Sequence, residues 1–236
     1  MIKAIFFDLD GTLLRLKDSD FYKTYIKLLV TKLANYGYNP DELISQTQKL
    51  MGLQYANDGS KTSEQIYYDY FYGLYGKKVF DDAQIMDSFY KNEFKELRAV
   101  CKDNDLAKDV VKHAKEKAGF VALTTNPLLP FEALKTRMSF INLNEEDFDF
   151  ITKYEESHFC KPNPNYFKEV LNKLNLKGEE VILFGNSKLE DAECALGAGI
   201  KTYLIDEYLI DCETDNHYEV ISFKDIIPII DEECSK

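Results

Sequence analysis

The sequence has no disulfide framework. Its five cysteines, at 101, 160, 194, 212 and 234, are odd in number and none sits in a CxxC pair. That is the usage of a chain that keeps its thiols reduced. No window approaches eighteen apolar residues, which excludes a transmembrane helix. The apolar start holds Lys3 and ends at Asp8, too short for a secretion signal and without a small-residue cleavage site. A cytoplasmic protein is therefore expected. Basic residues are scarce: 29 Lys and Arg against 41 Asp and Glu leave a net charge of −12. Neither nucleic acid nor an anionic membrane is an expected partner of such a surface. There is also no internal repeat, low-complexity tract or linker rich in Pro, Gly and Ser.

What is present is apolar content, 45% of 236 residues, enough for a core. Ile2 to Phe7 is a short apolar run without polar alternation, which suits a strand buried on both faces. Similar runs recur at 119–125, 148–152, 180–185 and 201–205. Helical spacing falls between most of them, over 105–118, over 164–174 behind Asn163 and Pro164, and in the small-residue stretch 191–199. Strand alternating with helix predicts an α/β fold with a Rossmann-like parallel sheet. Residues 15–97 break that rhythm. Apolar spacing there predicts about four helices, near 21–33, 40–52, 62–75 and 83–97, and no buried strand. The expected division is a core of residues 1–14 and 98–236, interrupted by an all-helical domain over 15–97.

In an open parallel sheet, ligands bind beyond the carboxyl ends of the strands. Asp8 and Asp10 follow the first predicted strand, Thr124, Thr125 and Asn126 the second, Lys161 the third, and the stretch GNSKLED (185–191) the fourth. One sheet would gather these acids, a hydroxyl, an amide and a cation at one edge.

The stretch DLDGTL (8–13) resembles the first signature, DxDGT, of the haloacid dehalogenase superfamily. Thr125-Asn126 is similar to its second motif, Lys161 in CKPNP to its third, and GNSKLEDAECALGAG to its fourth, whose usual form is GDxxxxD before a small-residue helix. The resemblance spans the core and implies Asp8 as the nucleophile that forms an aspartyl phosphate. It implies Asp10 as the acid and base for leaving group and water, with Gly11 freeing the chain to bend between them. Thr12 either fixes that turn or is a simple turn residue. Lys161 would counter the charge, and Thr125 and Asn126 would bind phosphate oxygens. Mg²⁺ would be held by Asp8, Asp10, Asn186 and Asp191, with Glu190 as a possible substitute. Asn186 departs from the family's usual aspartate, so weaker metal binding is expected. The superfamily's dehalogenases lack an aspartate at the Asp10 position, which favours phosphoryl transfer to water. The implied activity is hydrolysis of a small phosphorylated metabolite. A phosphomutase or other phosphotransferase, or a non-catalytic binding or regulatory protein with a weakened metal site, stands as the alternative.

An insert of this length between the first two motifs resembles the family's helical type 1 cap. Within it, IYYDYFYGLYG (66–76) puts Tyr67, Phe71, Leu74 and Tyr75 on one helical face and Tyr68 and Tyr72 on another. Either both faces pack internally, or they wall an organic leaving group. NDGSK (57–61) reads as a mobile loop or a solvated linker. Cys160 is an ordinary thiol or one whose pKa Lys161 lowers. His158 is a loop histidine or one that reaches the site mouth.

Overall fold

Every residue of Ala4–Phe7 is fully buried, and apolar side chains on both faces of a strand need cover on both sides. The computed structural model, which describes residues 1–236, provides it. In chain order the strands are β1 (Ala4–Phe7), β2 (Arg15–Leu16), β3 (Cys101–Lys102), β4 (Val121–Leu123), β5 (Phe150–Ile151), β6 (Val181–Gly185), β7 (Lys201–Ile205) and β8 (Glu219–Ile221). Six form one sheet, ordered β5-β4-β1-β6-β7-β8, with every pairing parallel. β1 sits centrally, Ile5 opposite Val121 on one side and Ile182 on the other.

The helices are α1 (Asp18–Ala34), α2 (Pro40–Tyr55), α3 (Ser63–Tyr75), α4 (Lys78–Asp81), α5 (Ala83–Lys91), α6 (Ala107–Ala118), α7 (Phe131–Ser139), α8 (Asn165–Leu174), α9 (Cys194–Leu196) and α10 (Ile226–Cys234). Strand alternation sorts the core into two layers. Ile5 and Phe7 face α6 and α10 through Val110, Val111, Ile226 and Ile230. Ala4 and Phe6 face α8 and α9 through Tyr166, Phe167, Val170 and Ala195. The α/β fold with a Rossmann-like sheet is as the sequence predicts. No helix is long and apolar enough to cross a membrane.

Several details differ from the sequence reading: β2, β3, α7 and α10 lie where no strand or helix was expected, and three further differences have a visible cause. β8 was not expected; at this sheet edge only Ile221 of its three residues is buried, so no apolar run announces it. The predicted helix over 83–97 stops at Lys91, where Asn92 leaves helical geometry (φ −122°, ψ −80°), and continues as a 3₁₀ turn over Glu93–Val100. The predicted helix of 191–199 is instead a π-helical turn, Lys188–Glu193, running into the three-residue α9.

From Asp18 to Val100 every regular element is helical. The chain enters and leaves this stretch through an antiparallel ribbon, Arg15 opposite Lys102 and Leu16 opposite Cys101. Arg15 holds the ribbon to Glu207 by two hydrogen bonds of 2.7 and 2.6 Å and to the Asp103 carbonyl at 3.1 Å. The helices share a core of Tyr25, Leu29, Phe89, Phe94 and Leu97, joined by Ala133 of α7. α3 starts on a capping box: Thr62 accepts from the Gln65 N–H, and the Gln65 side chain accepts from the Thr62 N–H. The 57–61 loop is pinned. Asn57 donates to the Lys61 carbonyl at 2.7 Å and to that of His158 at 2.5 Å. Gly59 leaves so little room that a Cβ would lie 2.4 Å from the Phe159 ring.

Candidate active site

The end of β1 is held on both sides: the Thr124 N–H donates to the Phe7 carbonyl at 2.7 Å and the Asp8 N–H to that of Phe184 at 2.9 Å. Asp8 therefore emerges at the carboxyl edge of the central strand, 7% exposed. Gly11 has φ +81°, a region closed to most side chains, and a Cβ there would lie 2.2 Å from the Asn186 Nδ2. The bend after Asp8 thus needs glycine for conformation and for space.

Lys161 is 1% exposed. Its ammonium donates to Asp8 Oδ1 at 2.9 Å and to Asp191 Oδ1 at 2.6 Å. The other oxygen of Asp191 accepts from the N–H groups of Asn186 and Ser187, each at 3.0 Å. Asp191, expected among the metal ligands, spends both oxygens on shaping the 186–187 loop and orienting Lys161. The Thr12 hydroxyl lies 3.3 Å from both Asp8 Oδ2 and Asn186 Oδ1. It is a bridge rather than a simple turn residue. Asn186 Nδ2 donates to the Tyr208 carbonyl at 2.9 Å, which fixes the amide with its oxygen toward Asp8.

Thr125 is anchored through its carbonyl, which accepts from Thr152 at 2.8 Å and Tyr166 at 2.9 Å. Asn126 Nδ2 donates to the Lys161 carbonyl and to Glu190, both at 3.2 Å, and its Oδ1 is buried without a partner. Asp10 pairs with Arg137, a 4% exposed residue of α7 whose guanidinium also stacks over Phe21. The other Asp10 oxygen is buried and unpartnered. Arg137 is the site residue the sequence reading missed, since it lies on α7, where no helix was predicted, buried between Thr136 and Met138.

Electrostatics follow from three acids sharing one ammonium. Burial pushes the Asp8 carboxyl up to about 8; Lys161 opposes the shift, while Asp191 and Asp10 add to it. Burial likewise raises Asp10 against the pull of Arg137 and Lys161. Burial works against the charge on Lys161, but Asp191 and Asp8 outweigh it and its pKa rises. Cys160 is not activated: burial pushes its thiol up to about 12, since the neighbouring ammonium points to the carboxylates. His158 is held by Glu169 at 2.9 Å and plays no part in this cluster.

The donor set suits a divalent cation. Asp8 Oδ2 and Asn186 Oδ1 are hard oxygens converging on one small space, and carboxylates exceed cations around it. Mg²⁺ favours oxygen donors and keeps part of its water shell, so few protein ligands suffice.

Asp8, Asp10, Thr125, Asn126, Asn186 and Asp191 all line one cavity of about 370 Å³ between the sheet edge and the 18–100 helices. Tyr67, Tyr68, Phe71 and Tyr75 line its far wall, whereas Leu74 and Tyr72 are exposed. Packing and cavity-lining thus coincide: Phe71 stacks on Tyr75 at 5.9 Å between ring centroids while facing the cavity.

Residues 2–199 match a family model described as haloacid dehalogenase-like hydrolase. A glyceraldehyde 3-phosphate phosphatase from Methanothermobacter thermautotrophicus is 26% identical over 223 residues, 92% of this chain and 91% of the relative. A putative β-phosphoglucomutase from Thermotoga maritima has a similar structure, with TM-score 0.58 and 22% identity over 98% of this chain and 99% of its own. The putative hydrolase YfnB from Bacillus subtilis, solved bound to magnesium, gives TM-score 0.58 at 17% identity over 97% and 98% of the two chains. These two structural likenesses bear on the fold.

Proposed function

The chain belongs to the haloacid dehalogenase-like hydrolase family, and on that premise we propose that it is a Mg²⁺-dependent phosphatase acting on a small phosphomonoester. The observation that carries the reading is the buried Lys161 ammonium, 2.9 Å from an Asp8 carboxylate that opens onto the cavity beside Asp10. The phosphatase name of the 26% identical relative supports it.

In the first half-reaction an Asp8 oxygen bonds to phosphorus, the bond from phosphorus to the alcohol oxygen breaks, and Asp10 gives its proton to that oxygen. The raised pKa of Asp10 suits a group that must hold a proton at this moment. In the second, Asp10 takes a proton from water, the water oxygen bonds to phosphorus, and Asp8 is released with inorganic phosphate. The Thr125 hydroxyl and the Asn126 backbone N–H hold phosphate oxygens, and Lys161 offsets the charge that Asp8 and phosphate share. Arg137 holds Asp10 at the seam between α7 and the helical stretch. Asp8, Asn186 and the Asp10 carbonyl would hold the metal. A bound Mg²⁺ supplies the positive charge that keeps Asp8 ionised and neutralises the phosphoryl oxygens.

Hydrolysis of p-nitrophenyl phosphate tests this directly. The purified protein is expected to release nitrophenol with Mg²⁺ and to stop with a chelator. Asp8→Asn is expected to lose all measurable turnover while melting like the parent. Undiminished turnover in that variant removes Asp8 from the chemistry.

A further inference from the structure

The cavity is lined by nine carboxylates, and Arg137, already paired with Asp10, is the one cation on its wall. A phosphomonoester brings about two further negative charges at neutral pH. Mg²⁺ and Lys161 offset charge at the reacting end, but they do not reach the whole lining. Two acids at the seam between helices and sheet stand out. Glu64, at the start of α3, and Glu155, in the loop after β5, form no salt bridge; burial raises the Glu64 carboxyl and the Glu155 charge adds to it. Glu155 Oε1 accepts from the Phe131 N–H at 2.9 Å; its Oε2 is buried with no partner.

Among the unpartnered atoms elsewhere on the wall, the amide oxygens of Gln54 and Asn126 can only accept, while the hydroxyls of Tyr22 and Tyr75 can do either. Gln54 is 1% exposed, and its amide nitrogen faces the Ser63 carbonyl at 3.5 Å while its oxygen is buried and unpaired. Gln54, Asn126 and Glu155 therefore offer oxygens that can accept and have nothing to accept from. The Glu64 N–H donates to the Tyr154 carbonyl at 3.3 Å, and Tyr67 and Tyr154 line the same cavity as Glu64. Carboxylates, acceptor oxygens and electron-rich ring faces form the surroundings that stabilise an organic cation. A carboxylated or second phosphorylated group would meet repulsion from Glu64 and Glu155 there, and the free hydroxyls of Tyr22 and Tyr75 elsewhere on the wall carry no charge to offset it.

We propose that the substrate is a phosphomonoester whose alcohol carries an ammonium group, with the ester end at Asp8 and the ammonium between Glu64, Glu155 and the rings of Tyr67 and Tyr154. The proposal rests on the phosphatase reading and narrows it to a substrate class. An N–H-bearing ammonium fits better than a quaternary one, because the acceptor oxygens need donors.

The test compares kcat/KM for phosphoethanolamine, phosphocholine, glycerol 1-phosphate and phosphoglycolate, with p-nitrophenyl phosphate as a probe of the reactive centre alone. The expected order is phosphoethanolamine first, at least about tenfold above glycerol 1-phosphate, and phosphoglycolate last. Glu64→Gln is expected to cut the ratio of phosphoethanolamine to glycerol 1-phosphate severalfold, and Glu64→Lys to move preference toward phosphoglycolate. Glu64 is half-buried on the first turn of a helix, where both variants have room to fold. Nitrophenol release combined with equal or better use of glycerol 1-phosphate or phosphoglycolate overturns the substrate class and leaves the phosphatase standing. So does a ratio that neither Glu64 variant changes. If p-nitrophenyl phosphate and all four esters remain intact, the phosphatase reading itself has failed.

Discussion

Asn186 shows how much one atom can decide. Its oxygen sits where an aspartate would bring a full charge, 3.3 Å from the Thr12 hydroxyl that also touches Asp8. A unit charge about 4 Å from another is worth roughly 4 kcal/mol per unit product at an effective dielectric of about 20, before desolvation. Asn186→Asp is therefore expected to lower the half-saturating Mg²⁺ concentration for nitrophenol release. A half-saturating value that stays put or rises would separate Asn186 from the metal. The amide also has a structural duty that aspartate cannot share, since its nitrogen donates to the Tyr208 carbonyl. Some loss of loop stability is expected alongside tighter binding. Asp8 and Asn186 were legible because each follows an apolar run whose end fixes its place at the sheet edge, and Lys161, ten residues beyond β5, through the resemblance of CKPNP to a known motif. Arg137 was not, because partnership with Asp10 is made across 127 residues of chain.

Among the elements, α3 brings Glu64, Tyr67, Tyr68, Phe71 and Tyr75 to the cavity wall, and its start is set by the reciprocal bonds of Thr62 and Gln65. Losing a capping side chain costs about 1 kcal/mol in typical helices. Thr62→Ala should lower the urea midpoint of the protein by the equivalent of that loss, and Thr62→Ser should restore it. An unchanged midpoint in the alanine variant would show that packing of Phe71 and Val79 alone holds the helix in place. β1, β4, β6 and β7 were readable as apolar runs because they are covered on both faces. β8, with Glu219 and Val220 exposed, had no such signature. The aromatic helix was legible as amphipathic. Its dual service, with Phe71 both packed and lining the cavity, was not, because one ring can do both only once the neighbouring helices are in place.

At the level of the whole molecule, α10 is tied back to the sheet by Glu233, which accepts from Lys201 at 2.9 Å and Tyr203 at 3.0 Å. Burial pushes its carboxyl up, but bonds from Lys236, Lys201 and Tyr203 prevail and bring it down to about 2 from an ordinary 4.5. A carboxyl held low in the folded state adds stability above its unfolded pKa and loses it as pH falls toward the folded one. The stabilisation is thus complete above about 4.5 and disappears between there and about 2. Chemical unfolding at about pH 6 and about pH 3 is expected to show Glu233→Gln weaker than the parent at the higher pH, with the gap narrowing at the lower. A gap that is constant or widens in acid would contradict the shift.

The ribbon of Arg15–Leu16 against Cys101–Lys102 gives the chain a doorway two residues wide on each side. Lengthening, trimming or exchanging what lies beyond it leaves the ladder of the parallel sheet unbroken. What must be refitted is the seat on α7 around Ala133 and the contacts of residues 57–64 with 154–159. In evolutionary terms, the vestibule can be refurnished while the reactor stays as built, so descendants of this architecture can change their diet sooner than their chemistry.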